Sequence, residues 1–264
     1  MYLRAPHAEV DIPSLRTFIR DNPLGLFITA FASPKSPTIQ CTHVPWVLDV
    51  SDESSPTELG KLRAHLARAN PHSKALVEAV AVHGSANGTL EQEVSVVFTS
   101  NVHAYVTPKF YTETKPSTGK VVPTWNYAAV QAYGKVRVFG DARSPETSSY
   151  LQQQVQDLSK HSEEHLMKYV GGDAPAAWQV DDAPAPYVDI LKKAIIGIEI
   201  DVDRLEGKWK MSQEMTRGDR DGVVRGFEAL GTEHGHQMSK TVEERGALKD
   251  AKALAAAAAK ANGE

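Results

Sequence analysis

Ile195-Ile196-x-Ile198-x-Ile200 is the most strand-like run in this 264-residue chain. β-branched side chains suit a pleated surface, and their period of two sends one set toward a core. Other strand-like stretches lie far upstream, at Leu26 to Phe31, Thr38 to Val50, Val94 to Val106 and Tyr127 to Phe139. Strands thus dominate the first half and return once near residue 198. A regular alternation of strand and helix is missing, as are G-x-G-x-x-G and a P-loop, so a Rossmann sheet is not expected. The expected class is mainly β, of α+β type: an antiparallel barrel or sheet with peripheral helices.

The helices are marked by their caps. Asp11 to Arg20 places Pro13 and Ser14 in a first turn and Leu15, Phe18 and Ile19 on one face, and Asn22-Pro23-Leu24-Gly25 stops it. Leu59 to Arg68 fits a helix by Leu59, Leu62 and Leu66 and a strand by Leu62, Ala64 and Leu66. Asn70 is a good cap for a helix from Pro71 to Val82. Ser144-Pro145-Glu146 opens a helix running to about Val170, Gly171 to Pro186 reads as a linker, and Tyr187 to Lys193 as a short helix. Ser33-Pro34-Lys35-Ser36-Pro37 is a predicted turn and Thr112 to Val121 a mobile loop. Arg204 to Arg225 is basic and loop-rich. Thr241 to Asn262, rich in Ala and Lys with almost no apolar stripe, reads as an exposed tail helix.

The formal net charge of −4 argues against a surface built to neutralise nucleic-acid phosphates. A single cysteine, Cys41, forms no internal disulfide and points to a reducing, cytoplasmic setting. In its strand it is expected to be a buried small hydrophobe. No apolar signal core opens the chain, and no apolar run approaches the roughly 18 residues of a membrane span. His161-Ser162-Glu163-Glu164-His165 formally matches H-x-x-E-H, but no third ligand is evident and the polar face of a charged helix accounts for it, so no metal is expected.

Three short words carry chemistry: Thr42-His43-Val44-Pro45-Trp46, Val122-Pro123-Thr124-Trp125-Asn126-Tyr127 and Gly207-Lys208-Trp209-Lys210-Met211-Ser212-Gln213. Each sets a ring beside small polar donors, and the last adds two lysines. Rings cover an aromatic face, amides and hydroxyls meet its edge, and cations hold a phosphate. On a strand Lys208 and Lys210 face the same side, as a phosphate clamp or as a solvated edge. His65-Leu66-Ala67-Arg68-Ala69-Asn70-Pro71 places Arg68 near a helix start, where amides favour an anion. Asn126, if buried, either braces a turn or meets a ligand. Together these words describe a site for a flat phosphorylated ligand.

Their order resembles the PaiB family of FMN-binding proteins, also called negative transcriptional regulators. The resemblance runs from Met1-Tyr2 to about Leu230 through Asn22-Pro23-Leu24-Gly25, the Thr42, His65 and Pro123 words, His103-Ala104-Tyr105-Val106-Thr107-Pro108 and Glu206 to Gln213. It departs at His72-Ser73, Ser100-Asn101-Val102, Pro108-Lys109-Phe110-Tyr111 and Glu214. The resemblance implies a split β-barrel of pyridoxamine phosphate oxidase type over residues 1–230, with a helical excursion at about 144–193 and a tail over 231–264. It implies a homodimer with FMN at the subunit interface. Thr42, His43, His65, Arg68, Asn70, Trp125, Asn126, Tyr127, Lys208, Lys210 and Gln213 would then contact FMN, and His43, His103 and Tyr105 are the catalytic candidates. The activity implied is hydride transfer to or from a small conjugated substrate, such as desaturation of a flavonoid-type molecule. The alternative is an FMN-binding regulator.

Overall fold

The computed structural model describes residues 1–33 and 35–261; Pro34, within the predicted turn, and Asn262 at the end of the predicted tail lie outside the described residues. It falls into two compact units. One comprises residues 1–10, 99–129 and 206–264, the other residues 11–98 and 130–205. Two 16-residue strands run through both units, β8 (Thr124–Phe139) and β9 (Ile195–Lys210).

The larger unit is built on an antiparallel sheet. Its other strands are β2 (Leu24–Ala30), β3 (Ile39–Pro45), β4 (Val47–Asp49), β5 (Lys61–Ala67) and β6 (Thr89–Thr99). The order is β3-β2-β6-β8-β9-β5-β4, and β1 (Ala8–Glu9) and β7 (Ala104–Val106) in the smaller unit extend it to nine strands. The sheet is not closed, since its path ends at β3 and β4. The isoleucine run does what its alternation predicts. Ile196, Ile198 and Ile200 are buried opposite Leu66, Ala64 and Leu62 of β5, which settles that ambiguous segment as a strand. β9 continues beyond the predicted Val202 to Lys210, because Gly207 and Lys208 pair with β1. Close strand approach fixes Gly134: a Cβ there would stand 2.0 Å from the Asp201 carbonyl.

Helices sit on the periphery. α1 (Ile12–Asp21) is capped by Asp11, whose carboxylate accepts from the Ser14 amide at 3.0 Å, and it buries Leu15, Arg16, Phe18 and Ile19. α2 (Pro71–His83) starts on Asn70, whose Oδ1 accepts from the His72 amide at 2.9 Å. α3 (Thr114–Thr118) is one helical turn inside the predicted mobile loop. α4 (Pro145–Lys160) passes into a π-helical turn at His161–Leu166, and α5 (Ala185–Lys193) begins inside the predicted linker. Two readings are corrected in the smaller unit. α6 (Arg217–Glu228) replaces a predicted loop, its start set by the Thr216 cap. α7 (Glu233–Ala261) starts earlier than predicted and is buried at Met238, Ser239 and Val242, where it packs on α6. Cys41 is exposed, because β3 turns it to the side opposite buried Val44.

Arg63 of β5 ties the sheet to α4. Its Nη2 donates to Asp49 at 2.8 Å and Asp157 at 2.6 Å, its Nε also donates to Asp49, and its Nη1 donates to Gln154 at 3.2 Å. Arg63→Met is expected to cost about 2 kcal/mol, less than a fully buried pair because both carboxylates retain water. Urea unfolding checks this through a lower midpoint at unchanged slope. Among the described residues, no helix is long and apolar enough to cross a membrane.

Candidate functional site

The smaller unit gathers most of the predicted words. Trp125 and Tyr127 alternate with buried Asn126 on β8, so both rings share a face. Trp125 and Tyr105 are each 50% exposed and meet edge to face at 6.3 Å, since Tyr105 is the cross-strand partner of Trp125. The Trp125 indole N–H donates to His103 Nδ1 at 3.3 Å, and His234 reaches the His103 carbonyl at 2.8 Å. Exposed aromatic rings therefore form a continuous surface, to which α7 contributes His234, a residue not singled out in the sequence as part of the site.

Lys208 and Lys210 lie beside these rings. The Lys208 ammonium donates to the Tyr2 carbonyl at 3.2 Å and sits 5.4 Å from the Tyr127 ring centre. Lys210 donates to the Trp125 carbonyl at 3.1 Å and to the Thr124 hydroxyl. Burial pushes the Lys210 ammonium below its ordinary value, Glu214 and Tyr127 oppose this, and Lys208 and Arg4 add repulsion. A poorly hydrated cation with two cationic neighbours is a seat that gains from an anion. Glu214 stays below the usual carboxylate range despite its burial, because His7 bonds it at 2.9 Å.

Asn126 and Gln213 are turn braces. Asn126 Nδ2 donates to the Ser212 hydroxyl at 3.0 Å, and Ser212 holds φ at 62°, a left-handed conformation that needs such support. Gln213 accepts from the Met211 amide at 2.6 Å and donates to the Trp209 carbonyl at 2.7 Å. Of Asn126's two readings, the structure shows the turn brace. These two amides fix the end of β9 that carries the lysines.

In the larger unit, Thr42 and His43 lie on β3 and His65 on β5. His43 is exposed. The Thr42 hydroxyl is 2.9 Å from Nδ1 of His72, and the Thr29 hydroxyl is 2.9 Å from its Nε2. His65 Nδ1 is buried without a partner, and burial lowers the imidazole pKa. Arg68 donates to the carbonyls of Lys193, Gly140 and Ile195 at 3.2, 2.6 and 2.9 Å, so its guanidinium splints backbone, and Asn70 is the α2 cap. His161 and His165 stack at 4.9 Å and bond to the Arg20 carbonyl and Asp21. Among the described residues, no group of three or more His, Cys, Asp or Glu is placed to hold a metal.

The sequence profile described as "Putative FMN-binding domain" matches residues 1–204. An uncharacterised protein of Aspergillus fumigatus is 54% identical over 263 residues, covering 96% of this chain and 100% of its own length. The protease synthase and sporulation protein PAI 2 of Bacillus subtilis is 23% identical over 244 residues, covering 92% of this chain and 95% of its own. Among solved structures, the flavocytochrome Anf3 of Azotobacter vinelandii is 13% identical, with a TM-score of 0.42 over 77% of this chain and 69% of that one.

Proposed function

The chain belongs to the family of FMN-binding domains, FMN being its cofactor, and on that premise we propose that it is an FMN-dependent oxidoreductase acting on a small conjugated substrate. The observation that carries the placement is the pairing of Lys208 and Lys210 with exposed rings on one face of β8 and β9. That donor set fits a phosphate-bearing aromatic ligand. Lys208 and Lys210 would hold the phosphate, and Tyr127 and Trp125 would border the ring. Bound FMN supplies the redox chemistry by accepting or delivering a hydride. The chain's own part is to seat the phosphate, orient the ring and place His103 or Tyr105 where a proton is exchanged. We further propose a homodimer with FMN between its copies, a reading supported by the half-exposed Trp125 and Tyr105.

The test is direct. Purified protein should carry a flavin spectrum that a reductant bleaches and a conjugated substrate restores, and light scattering should give a dimer mass. Failure of saturating FMN to bind would end the proposal. The other reading, an FMN-binding transcriptional regulator, requires a gel shift with a steep salt slope, against which the net charge of −4 weighs.

A further inference from the structure

Trp125 and His103, both in the smaller unit, meet through a hydrogen bond whose two ends have fixed roles. An indole N–H only donates, so the His103 Nδ1 that receives it at 3.3 Å carries a lone pair and no proton. A neutral imidazole holds one ring proton, which then sits on Nε2. Trp125 thereby selects the tautomer of His103. The backbone of His103 is held separately. Its carbonyl accepts from His234 Nε2 at 2.8 Å, and the two imidazoles meet edge to face at 6.4 Å. His103 is exposed, and among the described residues nothing bonds its Nε2. The half-exposed Trp125 ring lies 6.0 Å from the His103 ring, and half-exposed Tyr105 lies 6.3 Å from Trp125 on the paired strand. Adjacent rings left open to solvent offer a flat ligand an apolar face, and His103 borders that face with a donor. An N–H donor takes a lone pair and has nothing to offer another N–H.

We propose that Trp125 is a positioning residue that holds His103 as an Nε2–H donor, and that His103 gives this bond to an acceptor atom of a planar conjugated ligand lying on Trp125 and Tyr105. A flavin ring carries such acceptors, and so does a conjugated ketone substrate. The flavin source rests on the FMN reading above; the tautomer and the ketone source do not.

Nitrogen NMR of the histidine-labelled full chain at neutral pH tests the first half, the His103 signals being those absent from His103→Gln. They should show the proton on Nε2, and in Trp125→Phe the two nitrogen signals should move toward each other as tautomers mix. A proton on Nδ1, or identical signals in Trp125→Phe, would overturn it. Titration with FMN, acetophenone and indole, which has an N–H but no carbonyl, tests the second half. His103→Phe should bind FMN about fivefold more weakly, which assigns the flavin, or acetophenone alone about fivefold more weakly, which assigns the substrate. His103→Gln, which keeps an acceptor and a donor, should restore that affinity, and indole should bind all three proteins alike. The ligand role is overturned if the natural chain binds neither FMN nor acetophenone, if His103→Phe binds both unchanged, if His103→Gln restores nothing, or if indole weakens equally. If only FMN fails to bind the natural chain, the FMN reading fails and the spectra and acetophenone titrations decide this one.

Discussion

Lys210→Gln is expected to lower FMN affinity by about a hundredfold while leaving riboflavin affinity unchanged. A charge-assisted bond to phosphate contributes about 1.5–3 kcal/mol, and each 1.4 kcal/mol is a tenfold change. Lys210 should lie at the upper end, because it is partly desolvated and its neighbours Lys208 and Arg4 repel it. Riboflavin lacks the phosphate, so it isolates that contact from the ring contacts. The control matters because Lys210 also donates to the Trp125 carbonyl. If FMN and riboflavin weaken together, Lys210 only braces Trp125; if neither weakens, the phosphate sits elsewhere. Lys208→Gln should cost less, since the bond of that ammonium to the Tyr2 carbonyl is exposed to water whereas Lys210 is partly desolvated. Because the Lys210 pKa is lowered, FMN affinity should fall at a lower alkaline pH than an ordinary lysine would give.

What the residues disclosed in advance was mostly local. The isoleucine run of β9, the Asn70 and Ser144 caps and the shared face of Lys208 and Lys210 depend on neighbours a few positions away, and alternation or capping reveals them. What local pattern left open depends on long-range partners. β5 is a strand only because β9 lies opposite it, and β9 reaches Lys210 only because β1 pairs there. α7 looked solvated because its apolar stripe is short, yet α6 covers Met238 and Val242. Arg68 could be read as an anion ligand from its helix start; three carbonyls brought by residues 140, 193 and 195 engage its guanidinium instead.

His72 illustrates the same point with a larger consequence for stability. It is 1% exposed, stacked at 4.8 Å on Phe27, with a threonine hydroxyl at 2.9 Å from each ring nitrogen. A neutral imidazole offers one donor and one acceptor, and hydroxyls can meet both. Protonation would place a charge there, and burial lowers the pKa from 6.5 to about 4. The sign follows from that depression. The stability is fully present above 6.5 and is lost as the pH falls to about 4, amounting to about 3 kcal/mol. Urea unfolding across this window should show that loss in the natural chain. It should be nearly absent in His72→Gln, whose amide can bond both hydroxyls without titrating, although the variant starts less stable for want of the Phe27 stack. Equal losses in both proteins would mean that His72 is not the titrating group. Because His72 also holds the Thr42 hydroxyl, the same protonation should loosen that end of β3.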